Sequence, residues 1–507
     1  MGVRIKPADC DTYRAWTDLE FSGGDQPAVT RGRSLRYTRA DEGEQSMPRM
    51  YSPVRGTDER GADSERAKDL ELQLAGQVTG VAITFVDHSG AGRIKVVPVG
   101  ALAGAARFGV GFSPVIDAFT SDGGIDSASP LDRPDGDLRM VPDLDQLVVL
   151  RDPAGWAWAP GDRFTQDGAV YPGCQRSFAR RQVAAAQAAG LDALMAFEIE
   201  WMVGRDADDF VPAFRGTGYG VSRFVAAADY VRDVVDSLAA AGVTVEQIHP
   251  EYGPAQFEVS VAAQDPVSAA DTCVLAKMVI AAVSARHGLR ASFSPAVLTD
   301  NVGNGGHLHA SFWRDGANLL AGGDRRYGLS AQGESILAAL LDGLPALLAI
   351  GAPTPASYLR LQPSRWAGAY QIWGIENREA AMRLIAPAGS DAGQANVEIK
   401  CFDLSANPYL VTGAVMAVAL AGTGHPASLP PEVSGDPATP GHPQAHSAVR
   451  LPTSLTDTVK ALEGSDRLRG ALGEELLGSY TAARRAAITL AAGQRDEQVI
   501  AEARWLI

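Results

Sequence analysis

Four short segments of this sequence place charged or metal-capable side chains two residues apart within stretches typical of β-strands. The pairs are Glu198 and Glu200 in AFEIEWMV, Gln256 and Glu258 in AQFEVSV, His307 and His309 in GGHLHASFW, and Glu398 and Lys400 in NVEIKCF. Because successive side chains of a strand point to opposite faces, the members of each pair share one face. The residues between them are apolar and would face a core: Ile199, Phe257, Leu308 and Ile399. Strands that line one cavity with carboxylates and histidines predict a metal-bearing active site, and therefore an enzyme.

The metal would be a hard divalent cation, because Mg²⁺ and Mn²⁺ prefer oxygen ligands and Mn²⁺ also accepts an imidazole. The candidate ligands for two adjacent cations are Glu198, Glu200, Glu251, Glu258, His307 and Glu398. Two such cations can clamp nucleotide phosphates during phosphoryl transfer. One pair alone would fit glutamates on the solvent face of a strand equally well. Four matched segments in one chain favour the metal site.

Three arginines could bind phosphate or carboxylate oxygens through their planar guanidinium groups: Arg360 in SYLRLQP, and Arg378 and Arg383 in WGIENREAAMRL. Each one alone could equally be a structural salt-bridge partner. The run GNGGH at 303–307, which contains Gly303 and Asn304, leaves backbone amides open to an anionic or zwitterionic ligand. It does not fit the Walker or Rossmann pattern.

Composition excludes several classes of partner and location. The net charge of −15 argues against nucleic acid or an anionic membrane as the main partner. The four cysteines show no CxxC spacing and fit reduced thiols. No signal-type segment begins the sequence, and the apolar stretches 334–350 and 411–422 are predicted to be buried helices. A cytoplasmic protein is expected.

The distribution of apolar residues predicts three regions. Residues 1–72 carry too little apolar surface to offset chain entropy and are predicted to be a disordered or loosely attached extension. Residues 73–168 read as strand, turn and strand (VTGVAITFVD, HSGAG, RIKVVPV) with further short strands, ending in the turn-rich PAGWAWAPGDRF. Residues 169–507 alternate helices with the charged strands and predict an α/β domain built on a funnel-like sheet.

Taken in order, these segments resemble the signature blocks of the glutamine synthetase family. The blocks are FEIEW, EYGPAQFE, GNGGHLHAS, SYLRLQP, WGIENREAAMR and VEIKCFDLSANPYL, and the HSGAGRIKVVP hairpin is similar to that family's N-terminal β-grasp domain. The resemblance covers residues 78–490. It implies an α+β protein with a β-grasp domain before the catalytic domain, assembled as two stacked rings of ten or twelve subunits, with a dodecamer favoured. It also implies ATP as co-substrate, two or more Mg²⁺ or Mn²⁺ ions, and a γ-glutamyl phosphate intermediate.

Carried over by position, the resemblance assigns roles to individual residues. Glu200, Glu251 and Glu258 match ligands of one cation, and Glu198, His307 and Glu398 match those of the other. His309, Arg378 and Arg383 match phosphate-binding positions, and Ser311 matches a nucleotide contact. Arg360, Gly303 and Asn304 lie at the glutamate site. Arg378, Arg383, Lys400 and Trp366 are the catalytic candidates.

The sequence departs from true glutamine synthetases where ammonium would bind. Trp366, in PSRWAGAY, stands where the resemblance places a flap glutamate, and only Asp117 offers a partial substitute for a loop aspartate. Ammonium needs anionic groups to hold it and remove its proton, so the change disfavours ammonia. An indole could stack on an aromatic amine or hold an alkylammonium by a cation–π contact. Alternatively, Trp366 could be a packing residue, with another residue supplying the acidic function of the flap.

Two further departures concern the acid substrate. Lys400 replaces an arginine near the glutamate γ-carboxylate, and Val302 replaces an asparagine, so a glutamate analogue stays open. The sequence therefore predicts an ATP-dependent ligase that joins glutamate to an organic alkyl or aryl amine as a γ-glutamylamide. The alternatives are a true glutamine synthetase that uses ammonia and a non-catalytic ring-forming relative. A scaffold has no need to bury five carboxylates, which argues against the last.

Overall fold

Two β-sheets and the helices around them make up the part of the chain that the computed structural model describes, residues 56–205, 207, 209–387 and 391–506. The strands are β1 (Gly80–Val86), β2 (Gly92–Pro98), β3 (Val110–Phe112), β4 (Leu138–Pro142), β5 (Val148–Val149), β6 (Trp156–Phe164), β7 (Asp192–Arg205), β8 (Val245–Pro250), β9 (Gln256–Val261), β10 (Leu289–Ser292), β11 (Gly306–Arg314), β12 (Ala317–Asn318), β13 (Tyr370–Ile375), β14 (Ala380–Ile385) and β15 (Asn396–Ile399). The helices are α1 (Thr57–Leu74), α2 (Leu102–Phe108), α3 (Gln175–Ala188), α4 (Val221–Ala226), α5 (Ala228–Ala240), α6 (Pro266–Arg286), α7 (Ala331–Gly351), α8 (Pro355–Arg360), α9 (Pro408–Thr423), α10 (Leu455–Gly464), α11 (Asp466–Leu472), α12 (Glu474–Ala491) and α13 (Asp496–Ala503).

The first sheet has the strand order β2-β1-β6-β4-β3, with β5 also paired to β6. Strands β1 and β6 run parallel, and the other pairs are antiparallel. All of its strands lie within 73–168, the range predicted for a small β domain. The described residues nevertheless form one compact unit, so the boundary at 168 stays a prediction.

One segment of the first sheet was predicted wrongly. PAGWAWAPGDRF was expected to be turn-rich, but Trp156–Phe164 forms β6, which pairs with β1 on one side and with β4 on the other. Its Ala157, Trp158 and Ala159 are almost completely buried. Pairing with strands distant in sequence therefore overrides the local turn preference of the Pro and Gly residues.

Helix α1 also corrects a prediction, because it lies in the range 1–72 that was expected to be disordered or loosely attached. Ala67 and Leu74 of this helix pack into the core of the first sheet. Arg60 donates a hydrogen bond to the carbonyl of Gly168, and Glu71 accepts one from the backbone N–H of Ala103. The few apolar residues of α1 are enough to hold the helix in place because the neighbouring sheet buries them. Residues 1–55 lie outside the described part of the chain.

The second sheet has the order β13-β14-β15-β11-β7-β9-β8, with β10 and β12 paired to β7 and β11. Its pairs are antiparallel except that β13 runs parallel to β14. The α+β class and the largely antiparallel sheet are confirmed.

Buried helices pack against the second sheet and hold it in place. The side chain of Asn407 caps α9 by accepting hydrogen bonds from the N–H groups of Tyr409 and Leu410, and α9 is buried along most of its length. Helices α6 and α7 are long and apolar enough to cross a membrane by composition, but 67% of each apolar window is buried in the protein. That burial agrees with the expectation of core helices. Cys174, Cys273 and Cys401 are buried free thiols.

A buried ionic cluster joins the first sheet to the helices of the second. Arg176 of α3 lies 2.7 to 3.1 Å from carboxylate oxygens of Asp143, Asp162 and Asp271, and Arg180 contacts the first two of these at 2.8 and 3.0 Å. The aspartates follow β4, lie in β6 and lie in α6. Because breaking a buried ion pair is costly, the cluster fixes how these elements pack.

Candidate active site

The strand registers of the second sheet bring the predicted residues onto one face. His307 lies opposite Glu198, and His309 lies opposite Glu398. Glu200 lies opposite Glu258 across β7 and β9. Directly opposed residues of antiparallel strands point to the same side of a sheet, so these pairs form one continuous polar row.

The intervening apolar residues point the other way, as predicted. Ile199, Phe257, Leu308 and Ile399 are fully buried in the hydrophobic core. The alternation along each strand therefore places apolar side chains on the face that packs into the core and the polar row on the opposite face.

His307 lies at the centre of the carboxylates. Its Nδ1 is 2.6 Å from Oε1 of Glu198 and 3.1 Å from Oε1 of Glu398. Arg360 Nη2 lies 2.8 Å from Nε2 of His307. Since a guanidinium only donates, Nε2 of His307 is the acceptor in this contact.

Burial and crowding set the protonation of these carboxyl groups. Burial, with the nearby Glu198, Glu200 and Glu251, raises the pKa of Glu258 to about 10. Burial alone would raise the pKa of Glu198, but His307 and His309 outweigh it and hold that pKa below its usual range. Lys400, whose Nζ donates to Oε1 of Glu398 at 3.0 Å, together with His307 lowers the pKa of Glu398 against the effect of burial. The row therefore carries more buried carboxyl groups than its own cations neutralise.

Two adjoining cavities open onto the polar row. The larger, of about 940 Å³, is lined by His309, Ser311, Arg383 and several apolar side chains. The smaller, of about 440 Å³, is lined by Glu200, Glu251, Gly303, Arg360 and Lys400. The residues that line both cavities are Glu198, Glu258, Tyr219, Trp366 and Arg378. A molecule in one cavity would thus meet a molecule in the other at this common wall.

Residues 172–500, which contain the whole polar row, match the family described as glutamine synthetase, catalytic domain. The chain belongs to the glutamine synthetase family. It is 50% identical over 454 residues to the γ-glutamylpolyamine synthetase GlnA3 of Streptomyces coelicolor, covering 88% of this chain and 97% of that protein. It is 29% identical over 411 residues to a glutamine synthetase of Rhizobium leguminosarum bv. phaseoli, covering 78% of this chain and 90% of that one. A solved glutamine synthase homologue matches with a TM-score of 0.76 and 31% identity, covering 85% of this chain and 99% of that chain.

Membership of the glutamine synthetase family confirms the recognition made from the signature blocks. It also confirms the enzyme class, an ATP-dependent ligase of the glutamine synthetase-like branch.

The metal candidates fit hard divalent cations. Three groups bring donor atoms within 4.8 Å of one another: Glu198 with His309 and Glu398, Glu198 with Glu200 and His307, and His249 with Glu251 and Glu258. All six predicted ligands occur in these groups. The burial and neighbouring glutamates that raise the pKa of Glu258 mark a crowded carboxylate cluster, whose charge a divalent cation would offset.

These three groups include His249, which the sequence did not identify as a candidate ligand. They also place His307 with Glu200, and His309 with Glu398, whereas the resemblance divides the ligands differently. His249 Nε2 lies 3.0 Å from Oε2 of Glu251. A signal was available, because His249 stands two residues before Glu251, the same spacing as in the four pairs. His309, expected at a phosphate, also lies 3.6 Å from Oε2 of Glu198.

The phosphate and nucleotide candidates lie around the larger cavity. Arg383 donates to Oε2 of Glu398 at 3.1 Å and to Oε2 of Glu376 at 2.6 Å, so carboxylates hold its guanidinium beside the row. Arg378 is exposed at the common wall. Ser311 accepts a hydrogen bond from Nε1 of Trp313.

The candidates for binding the acid substrate divide into two kinds. Gly303 and Arg360 line the smaller cavity, and a Cβ on Gly303 would lie 1.8 Å from the carbonyl oxygen of Pro295, so only glycine fits. Asn304 is fully buried, donates to the carbonyls of Ser292 and Ser294, and accepts from Gln256. The side chain of Asn304 is therefore used in positioning the loop, and a contact of this residue with the acid substrate stays a prediction.

The side chain of Trp366 is 64% exposed and lines both cavities at the common wall. Two more aromatic side chains line the smaller cavity near it, Tyr219 (58% exposed) and Tyr252 (70% exposed). No spacing in the sequence identified either tyrosine. Three exposed aromatic side chains and several carboxylates therefore line the same cavity.

Asp117 lines neither cavity of this chain, and its interpretation as a partial substitute for the loop aspartate stays a prediction. It is buried in the first sheet's region, where Arg163 donates to its Oδ2 at 2.5 Å. Arg163 also donates to the carbonyl of Gly173 and to Oε1 of Gln175.

Replacing Arg163 with Met should destabilise the protein by about 3–5 kcal/mol, because Asp117 would remain buried without its partner. We expect a fall of several degrees in the midpoint of thermal unfolding measured by scanning calorimetry. Arg325→Met is the matched control, since Arg325 is 53% exposed and its closest carboxylate contacts are 3.9 Å. Equal midpoints for the two variants would contradict the prediction.

Proposed function

We propose that this enzyme activates the γ-carboxylate of glutamate with ATP and joins it to an aliphatic amine, with di- and polyamines as the preferred acceptors. The observation that carries the proposal is the common wall between the two cavities, which combines carboxylates, an arginine and aromatic rings. Support also comes from the relative at 50% identity, which is named a γ-glutamylpolyamine synthetase.

ATP would occupy the larger cavity, with its phosphates toward His309, Arg378 and Arg383. The cation sites would use Glu200, Glu251 and Glu258 on one side and Glu198, His307 and Glu398 on the other. Bound Mg²⁺ or Mn²⁺ would there offset the charge of the phosphate oxygens. Arg378 and Arg383 add fixed positive charge to the same oxygens through their guanidinium groups.

Glutamate would occupy the smaller cavity between Gly303 and Arg360. An oxygen of its γ-carboxylate attacks the γ-phosphorus, the bond to the bridging oxygen breaks, and ADP leaves with both electrons. The neutral amine nitrogen then attacks the acyl carbon, phosphate leaves, and solvent takes the proton lost by nitrogen. Lys400, buried against Glu398, would hold the reacting carboxylate in the smaller cavity.

The acceptor would enter past Trp366, Tyr219 and Tyr252. Aromatic faces attract an alkylammonium by about 0.5–2 kcal/mol each, and they exclude water from the methylene chain. A polyamine carries a second ammonium that can remain on the rings while its reacting nitrogen loses a proton. Ammonia has neither a chain nor a second charge and gains little from this entrance.

Product formation from glutamate, Mg²⁺-ATP and an amine panel tests the proposal directly. We expect γ-glutamylamides from putrescine or spermidine at rates well above those with ammonia or aniline, and no product once EDTA has removed the cations. Mass spectrometry of the product checks the γ-linkage, and positional isotope exchange in ATP with glutamate alone checks the acyl phosphate. Equal or better turnover of ammonia would assign a true glutamine synthetase. Absence of metal-dependent ATP binding by calorimetry would assign a non-catalytic relative.

We further propose that the chain assembles into a homo-oligomeric double ring. Sedimentation of the full chain tests this assembly, and a monomer at micromolar concentration would contradict it.

A further inference from the structure

Two backbone N–H groups of the turn that carries Trp366 are bound by one carboxylate, that of Glu379. The backbone N–H of Ser364 donates to Oε1 of Glu379 at 2.8 Å, and that of Trp366 donates to Oε2 of Glu379 at 2.9 Å. Each carboxylate oxygen thus accepts one N–H group. Glu379 lines neither cavity, whereas Ser364, Arg365 and Trp366 line the smaller one.

The backbone of this turn needs such a support. Ser364 and Trp366 have φ angles of 57° and 55°, the left-handed region that side chains with a Cβ disfavour. The indole of Trp366 is largely exposed, so its own packing does not hold it. Without an acceptor between the two N–H groups, the turn would relax to other conformations and the ring would move.

Glu379 itself is fixed. Its carboxylate is buried, and its backbone N–H donates to Oδ1 of Asn377 at 3.0 Å. Asn377 in turn donates to the carbonyls of Val433 and Gly435, at 2.8 and 3.0 Å. Ser364 Oγ donates to Oδ2 of Asp436 at 2.6 Å, which closes the connection between the turn and segment 433–436.

We propose that Glu379 is a positioning residue for acceptor specificity: it holds the 364–366 turn so that the indole of Trp366 stays over the common wall. This inference rests on the proposed function, because it assigns the reason why an amine is preferred over ammonia. A carboxylate is suited to the task since both of its oxygens accept. A glutamine would satisfy one N–H and turn its own NH₂ group toward the other.

Two readouts on Glu379→Gln and Glu379→Ser test the proposal, and the first needs no activity. Arg365 is exposed within the turn, so trypsin cleavage after Arg365 reports local opening. We expect cleavage at this bond, identified by mass spectrometry, to be about tenfold faster in both variants than in the wild type. The second readout is steady-state kinetics. The KM for the amine should rise by about fivefold or more, while the KM values for ATP and glutamate stay within about twofold.

Asp265→Asn is the matched control. Asp265 also accepts two backbone N–H groups, those of Val267 and Ser268, and it lines neither cavity. We expect Asp265→Asn to change neither cleavage after Arg365 nor the amine KM. A merely structural role for Glu379 would lower the thermal midpoint and affect all three KM values together.

The outcomes separate the two proposals. Unchanged cleavage after Arg365 in both Glu379 variants would overturn the positioning role, whatever the activity. Faster cleavage with an unchanged amine KM would overturn the specificity role. A wild type that turns over no amine would overturn the proposed function and with it the specificity role, although the cleavage readout would still report how the turn is held.

Discussion

Glu258→Gln should reduce turnover by about 10²- to 10³-fold, yet the variant should unfold without divalent cations at the same or a higher temperature than the wild type. Glu258 is buried beside Glu198, Glu200 and Glu251, and its ionised form is opposed by burial and by all three. Glutamine has the same shape and is always neutral, so the metal-free protein no longer has to take up a proton at this position when it folds at neutral pH. The same substitution removes one of the proposed cation ligands, on which we expect binding of the phosphates to depend.

Thermal unfolding with and without Mg²⁺ and a non-hydrolysable ATP analogue measures both effects. The wild type should gain stability from the ligands by mass action, and Glu258→Gln should gain little. Glu246→Gln is the matched control, because Glu246 lies exposed on the adjacent strand β8. A metal-free Glu258→Gln protein that unfolds well below the wild type would show that the ionised carboxylate stabilises the fold.

We expect the stability of the metal-free protein to fall as the pH rises, because of Glu258. In the metal-free protein the pKa of Glu258 is raised from 4.5 to about 10. The stability linked to this group is therefore fully present below pH 4.5 and is lost as the pH rises toward 10. Metal-free wild type should lose stability over that window more steeply than Glu258→Gln, measured as the difference between their unfolding midpoints.

The polar row could be predicted from the sequence because strand alternation is a local rule. Glu198 and Glu200 share a face whatever their partners are, and an apolar Ile199 between them fixes which face is buried. The alternation does not show the register, that is, which residues of neighbouring strands lie opposite one another. That His307 lies opposite Glu198, and Glu200 opposite Glu258, depends on pairing between strands far apart in sequence.

Other features that the sequence did not show also depend on contacts between separate segments. The side chain of Asn304 donates to the carbonyls of Ser292 and Ser294 and accepts from Gln256, which no local pattern indicates. Helix α1 looked too polar to order, but the first sheet supplies the partner surface for Ala67 and Leu74. Glu379 carried no signal at all, since accepting two N–H groups of a turn 13 to 15 residues away follows no sequence period.

Trp366→Glu should reverse the acceptor preference. Losing the aromatic face should lower kcat/KM for a polyamine by about 2- to 30-fold, the range that corresponds to a cation–π contact of about 0.5–2 kcal/mol. A carboxylate at the same place could hold ammonium and take its proton, so kcat/KM for ammonia should rise by about tenfold or more. Competition between putrescine and ¹⁵N-ammonium, with both products quantified by mass spectrometry, measures the ratio in one vessel.

Trp366→Gln separates the two causes, because it removes the ring without adding a base. It should lose the polyamine advantage as Trp366→Glu does, but it should not gain ammonia turnover. The backbone N–H of residue 366 still reaches Glu379 in both variants, so the turn keeps its support and only the side chain differs. If neither substitution alters the ratio of the two products, Trp366 does not select the acceptor, and other groups of the site do.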